Sequence, residues 1–250
     1  MSVVVLGHRG GRGEGWPAEN TLEAFARAID EGADGVELDV RLTRDGVPIV
    51  FHDTTLARAT GGADARAVNK VPFAELPATT SGERIPRLVD ALDALRGRLV
   101  NVEIKADVAP TSLLGDVPER LRLVRATAAV VKKAAGVEVV FSSFDPLVVV
   151  ALAAMLPRTP RAILIGMRTP RAALALPLAL RPAIVAAHLD ESLITASRVE
   201  RLRRSDLRVT AWTVNDPTRA KAFVDLGVAW IITDAPGRIL AELAPVTRRR

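Results

Sequence analysis

His8, Glu37, Asp39 and His52 bring proton-transfer and metal-binding side chains together near the start of this chain. The sequence has only 3 histidines, and His8-Arg9-Gly10 and His52-Asp53 account for two of them. Histidine exchanges protons near neutral pH. Residues two apart on a strand point the same way, so Glu37 and Asp39 offer two carboxylates to one hard cation. An acid, a base and a site for charge are what cleaving a phosphodiester requires.

Glu103-Ile104-Lys105 repeats the same two-residue spacing on a later strand candidate. Buried like charges are costly unless paired or bound to a cation, so Glu37, Asp39 and Glu103 converging from adjacent strands suggest Mg²⁺ or Ca²⁺. The alternative is a structural salt-bridge network in which Lys105 and Arg9 neutralise the acids, and residue types alone leave both open. His8 and His52 lie at strand ends flanking the same carboxylates, which points to a working pair. His188 also follows a strand candidate, but Asp190 and Glu191 beside it offer plain ion-pair partners and give it a structural role. Trp212 ends a strand, where an aromatic ring can wall a substrate's organic group. Asp234 reads as a cap for the last helix.

These residues need a scaffold. Strands are expected at Val3–Gly7, Gly35–Leu42, Leu99–Lys105, Glu138–Phe141, Arg161–Ile165, Ala183–Ala187, Leu207–Trp212 and Ala229–Thr233. Helical spacing fills the gaps at Thr21–Glu31, Arg87–Leu95, Val117–Ala135, Pro146–Leu156, Arg171–Leu180, Thr195–Arg204, Thr218–Leu226 and Gly237–Leu243. Thr21 or Asn20 can cap the first helix, and Asp216-Pro217 opens another. Strand–helix alternation over 250 residues predicts a closed parallel α/β barrel, a TIM (β/α)₈ barrel, forming a single domain. An open doubly wound sheet is the competitor, but the segment after the first strand lacks GxGxxG and carries His8 instead. The connection from Arg44 to Pro86 is unusually long. Asp45-Gly46 makes a tight turn into Val47–Phe51, and residues from about Thr54 to Pro86 form a small cap insertion after strand 2.

Composition removes several classes. Without cysteine there are no disulfides, thiolate catalysis or Cys-bound zinc. Arginine supplies most of the net charge of +5, but it is scattered, clustering only at Arg201–Arg204 and Arg248–Arg250. No aromatics interleave with it, so a solvated basic surface is expected and nucleic acid is not. Prolines and arginines, among them Arg158, Arg161, Arg168, Arg171 and Arg181, interrupt the apolar stretch Asp145–Leu189, which excludes a transmembrane span. Peripheral contact with a membrane stays open. The start lacks the marks of a signal peptide, so the cytoplasm is the expected compartment.

The ordered motifs resemble those of the glycerophosphodiester phosphodiesterase family. His8-Arg9-Gly10 and Pro17-Ala18-Glu19-Asn20-Thr21 open the match, followed by Gly32–Val40, Thr43–Gly46, His52-Asp53 and Leu56–Thr60. It resumes at Val102–Lys105, Ser143-Phe144-Asp145, Trp212–Asn215 and Ile231–Pro236, nearly end to end. The resemblance implies a TIM barrel with a cap, and a divalent ion held by Glu37, Asp39 and Glu103. It implies His8 and His52 as the acid–base pair, with Arg9 and Lys105 binding phosphate. The insertion Gly11–Trp16 with its extra arginine, Gly227-Val228-Ala229-Trp230 and Arg201–Asp206 depart from the family pattern without touching that set. The expected reaction is metal-dependent hydrolysis of a small-molecule glycerophosphodiester to glycerol phosphate and an alcohol. The alternatives are a relative acting on lysophospholipids and a noncatalytic barrel that binds phosphorylated ligands.

Overall fold

Short β-branched runs separated by amphipathic helices close on themselves in the computed structural model, which describes residues 3–106, 116–167, 169 and 171–247. Eight parallel strands form the wall: β1 (Val4–His8), β2 (Gly35–Leu42), β4 (Leu99–Ile104), β5 (Glu138–Ser143), β6 (Arg161–Ile165), β7 (Ala186–Asp190), β8 (Arg208–Trp212) and β9 (Trp230–Thr233). A short strand, β3 (Pro48–Val50), runs antiparallel to β2. The sheet order β1-β9-β8-β7-β6-β5-β4-β2-β3 is closed by pairing of β1 with β2. This is the TIM barrel read from the sequence.

The helices α1 (Leu22–Asp30), α2 (Leu88–Ala94), α3 (Val117–Lys133), α4 (Pro146–Met155), α5 (Leu176–Ala179), α6 (Ala196–Arg203), α7 (Pro217–Asp225) and α8 (Pro236–Thr247) alternate with the barrel strands. Their starts follow local chemistry. Thr21 Oγ1 accepts from the Ala24 amide to open α1, and Asp216 Oδ1 accepts from the Thr218 amide to open α7. Outward residues such as Val36, Leu38 and Val40 pack against helices, while Leu6, Val140, Trp230 and Ile232 fill the barrel's interior. The period of two therefore divides each strand between two cores.

Two expectations are corrected. β7 begins at Ala186 rather than Ala183, because pairing of Ala186 with Ala162 of β6 sets its register, and an unbroken apolar run carries no mark of where pairing starts. The expected helix over Arg171–Leu180 is a 3₁₀ turn (Arg171–Ala175) followed by the single turn of α5. Pro177 has no amide hydrogen to continue a helix arriving from upstream, so it sits in the first turn of a new one. Arg168 and Arg248–Arg250 lie outside the described residues.

Asp45-Gly46 turns β2 back into β3, with Gly46 at φ 83° and Thr43 Oγ1 donating to Asp45 Oδ1 at 2.6 Å. Residues 51–87 then cross the barrel mouth through two short 3₁₀ turns, Val68–Lys70 and Phe73–Glu75. Ile49, Phe51, Leu56, Val68, Val71 and Ile85 form a separate apolar cluster there. Among the described residues no helix is long and apolar enough to cross a membrane.

Candidate active site

Strand register brings the acids together. In parallel pairing His8 lies beside Glu37, and Asp39 lies beside Glu103. Glu37, Asp39 and Glu103 offer carboxylate oxygens that all lie within 4.8 Å of one another. Asp39 is fully buried and the other two nearly so. Burial, reinforced by the charges of Asp39 and Glu103, pushes the Glu37 carboxyl well above the usual range. Burial also raises Glu103, against the pull of Lys105. For Asp39 burial acts upward too, but Lys105 and Arg9 outweigh it and hold its pKa low.

Lys105 Nζ lies 2.5 Å from Glu103 and 3.1 Å from Asp39, and Arg9 Nε lies 3.1 Å from Asp39. Part of the neutralising network considered from the sequence is therefore real. It does not reach Glu37, whose nearest polar partners are the Arg9 amide at 3.0 Å and His8 Nε2 at 3.9 Å. Glu37 Oε1 is buried with no hydrogen-bond partner. A buried, all-oxygen, acidic donor set with an unmet oxygen fits a hard divalent cation better than it fits an ion-pair network.

Local backbone turns set the neighbours. Arg9 has φ 54° and Gly10 φ 88°, and a Cβ at Gly10 would come within 2.7 Å of the Ala24 backbone of α1. Only glycine permits this approach, and the turn aims the Arg9 amide at Glu37. Asn20, also left-handed at φ 62°, donates from Nδ2 to Asp39 at 2.8 Å and accepts from the Asp39 amide at 3.3 Å.

Each histidine is held by an aspartate. His8 Nδ1 lies 2.7 Å from Asp234 Oδ1, and His52 Nδ1 lies 2.6 Å from Asp53 Oδ1. With Nδ1 donating to a carboxylate, Nε2 of each ring is the nitrogen left for chemistry. Burial lowers the pKa of His8, outweighing the opposing hydrogen bond from Asp234. Burial likewise lowers His52, against the field of Asp39. Asp234 stays ionised because hydrogen bonds from His8 and Arg12 overcome its burial. For Asp53, hydrogen bonds from Arg58 and His52 overcome burial and give a pKa of about 2. His52 arrives through β3 rather than directly from β2. The Phe51 amide donates to the Asp39 carbonyl at 2.9 Å, and Arg41 Nε holds the His52 carbonyl at 2.6 Å.

Trp212 sits across the mouth with Phe144 edge-on to it, ring centroids 5.5 Å apart, and its buried Nε1 lacks a hydrogen-bond partner. Lys105 Nζ lies 5.9 Å from the Phe144 ring. A Cβ at Gly166 would meet both aromatic rings at about 3.4–3.5 Å, so glycine leaves them room at the mouth. Between mouth and cap a cavity of about 260 Å³ is lined by Arg12, Glu19, His52, Arg58 and the hydroxyl-bearing Thr79, Thr80 and Ser81.

The structure thus gathers His8, Arg9, Glu37, Asp39, His52, Glu103, Lys105 and Trp212 at one end of the barrel. His188 is corrected: it lies within β7, fully buried, with neither ring nitrogen paired to Asp190 or Glu191. Its ring centroid is 6.2 Å from Trp230, and burial drives its pKa down to about 3. Asp234 is corrected as well, since its carboxylate is engaged by His8, Arg12 and Asn215 at the site. The signal was available: Trp230 and Ile232 face the interior, and position 234 continues that row to the mouth.

Residues 8–238 match the glycerophosphoryl diester phosphodiesterase family. The chain belongs to this family. A glycerophosphodiester phosphodiesterase from Caldanaerobacter subterraneus is 31% identical, with 96% of this chain and 97% of the relative aligned. An Oleispira antarctica phosphodiesterase, solved in complex with the product sn-glycerol-3-phosphate, superposes with TM-score 0.83 at 26% identity over 97% of both chains. The glycerophosphodiester phosphodiesterase of Thermotoga maritima gives TM-score 0.77 at 28% identity, covering 97% of this chain and 99% of that one. The resemblance read from the sequence, and with it the reading as an enzyme of this family, is borne out.

Proposed function

We propose that this protein hydrolyses glycerophosphodiesters to glycerol phosphate and an alcohol, with a divalent cation at Glu37, Asp39 and Glu103 and with His8 and His52 as the acid–base pair. The observation that carries the reading is the carboxylate cluster, its ligand atoms within 4.8 Å of one another, flanked by two His–Asp pairs. Bound Mg²⁺ or Ca²⁺ would polarise the phosphate oxygens. Arg9 and Lys105 add positive charge where the phosphate's own charge grows. One imidazole takes a proton from the attacking hydroxyl through Nε2, and the other gives one to the leaving alcohol. A hydroxyl next to the phosphate on the glycerol is already in place to attack and expel the alcohol, leaving a cyclic glycerol phosphate that water then opens to glycerol phosphate with the two imidazoles in exchanged roles. Trp212 and Phe144 face the organic group, and residues 54–86 cap the site as part of a single domain. The cytoplasm remains the proposed compartment.

The test is a panel of glycerophosphodiesters assayed after chelation and after adding back Mg²⁺ or Ca²⁺. Release of glycerol phosphate that vanishes with chelator and returns with either ion is expected. No release with either ion would overturn the reading and favour a noncatalytic binding barrel. A diester whose neighbouring hydroxyl is replaced by hydrogen tests the cyclic route, which fails if that analogue reacts as fast as the parent. A second reading, action on lysophospholipids, is favoured by Phe144 and Met167, which are 43% and 72% exposed in the segments following β5 and β6. Lysophospholipids therefore belong in the panel.

A further inference from the structure

One His–Asp pair joins the two ends of the sequence and the other is made by adjacent residues, yet one carboxylate connects them. Glu19 Oε1 accepts from Arg58 Nη2 at 2.6 Å and from Arg9 Nη1 at 2.8 Å, while its Oε2 takes Arg12 Nη1 at 3.4 Å. Arg12 grips Asp234 with Nε and Nη2, both at 2.9 Å, and Asp234 holds His8. Arg58 grips Asp53 through Nε at 2.6 Å and Nη2 at 3.1 Å, and Asp53 holds His52. The chain of contacts runs His8–Asp234–Arg12–Glu19–Arg58–Asp53–His52.

We propose that Glu19 is a positioning residue that sets both histidines at once, through Arg12 and Asp234 on one side and through Arg58 and Asp53 on the other. This rests on the reading of His8 and His52 as the acid–base pair. Several features favour it over simple charge balance. Both arginines present two nitrogens to their aspartates, a geometry that fixes direction as well as distance. Arg12 and Arg58 are half exposed, and such long side chains lose their geometry readily unless several charges hold them in a network. Glu19 is itself fixed, because Asn20 beside it is locked on Asp39 and the Asn20 amide donates to the Arg9 carbonyl at 2.9 Å. The cap contributes Arg58, so Glu19 also ties the cap to the barrel where the histidines meet.

The experiment is ¹⁵N spectroscopy of the histidine rings in the full-length protein and in Glu19→Gln, recorded at one pH with the same cation present. Nδ1 signals of both His8 and His52 are expected to move, while His188, buried away from this network, serves as the internal reference and stays. Loss of a group that orients a working side chain through its hydrogen-bond partner costs about 10–100-fold, so kcat should fall by that factor with KM and calorimetric cation affinity within about threefold. Movement of only one histidine, of neither, or of all three would overturn the proposal. If Glu19→Gln does not fold, Arg12→Lys and Arg58→Lys decide: the first should move only His8, the second only His52, and any other pattern is fatal. The spectra need no turnover. Absence of glycerophosphodiester hydrolysis would therefore sink the proposed reaction without deciding this one.

Discussion

The two sides of the barrel mouth are built from different materials. On the β1–β2–β4 side, His8, Arg9, Glu37, Asp39, Glu103 and Lys105 are held by ion pairs and hydrogen bonds at 2.5–3.1 Å. On the β5–β8 side, Phe144, Gly166, Met167 and Trp212 present rings, a thioether and a bare backbone. A reaction that moves protons and charge needs groups that do not reorganise, and those are on the first side. Substrate choice needs surface that fits an organic group loosely, and that is on the second. On the proposed function, the division gives chemistry to one half of the rim and preference to the other.

Breaking the charged side should have the largest effect. Glu37→Gln and Glu103→Gln should each weaken cation binding and hydrolysis together by roughly a hundredfold or more while the fold survives, as the combined loss of a ligand and of transition-state charge stabilisation implies. Calorimetry alongside turnover checks this, and unchanged cation affinity in both variants would remove the shared site. His8→Ala and His52→Ala should lower turnover by about 10²–10⁴-fold, the range of acid–base catalysis, with cation binding intact.

A smaller loss is expected one step back from the reacting groups. Asp234→Asn keeps the shape but not the charge that orients His8, and about a 10–100-fold fall in kcat should follow. An effect confined to KM would show instead that Asp234 serves binding.

His188, on β7, sharpens the comparison through stability rather than rate. Its folded pKa of about 3 lies below the unperturbed 6.5, so the unfolded chain binds the proton first as pH falls. Its contribution is complete above pH 6.5 and is lost progressively towards pH 3. At pH 5 the loss amounts to about 2 kcal/mol by linkage. Denaturant melts of wild type and His188→Leu at pH 8 and pH 5 should show the variant gaining that amount on the wild type as the solution is acidified. A constant difference would mean the ring is not buried neutral.

The smallest effect belongs to the apolar side. Phe144→Ala should change KM several-fold, on the scale of a lost aromatic contact of about 1 kcal/mol, with kcat nearly unchanged and with a different ranking of head groups. A large drop in kcat would break the proposed division of labour.

What the sequence made legible was local or periodic. Glu37 and Asp39 could be placed together because strand periodicity is strict, and the barrel followed from regular alternation of strands and helices. The hairpin after Asp45-Gly46 was readable from its turn. His188 was misplaced because β7 starts three residues later than its apolar run, and only pairing with β6 determines that. The partners of the histidines were harder. Asp234 is separated from His8 by 226 residues, and an aspartate before a helix has a simpler local explanation. Arg12 looked like an addition in an inserted stretch, and Glu19 like part of a turn motif. Their roles exist only once the barrel brings the ends of the chain together.

The segment over the mouth leaves and re-enters the barrel at nearly the same point. The Val50 amide donates to the Pro86 carbonyl at 2.9 Å, and Ile49 bridges Arg87. Phe51 is pinned to Asp39 just before His52. Residues 54–84 therefore form a continuous segment on a fixed socket, seated there by the apolar cluster that Leu56, Val68 and Val71 make with Ile49 and Phe51 just before His52. Arg58 crosses the socket, as do the bonds from the Ala18 amide to Glu83, from the Phe73 amide to Asp45 and from the Arg44 amide to the Val71 carbonyl, so a transplanted cap must bring its own guanidinium to Asp53 and Glu19 and keep those contacts. A graft that keeps those contacts exchanges the cover of the mouth as a single continuous segment.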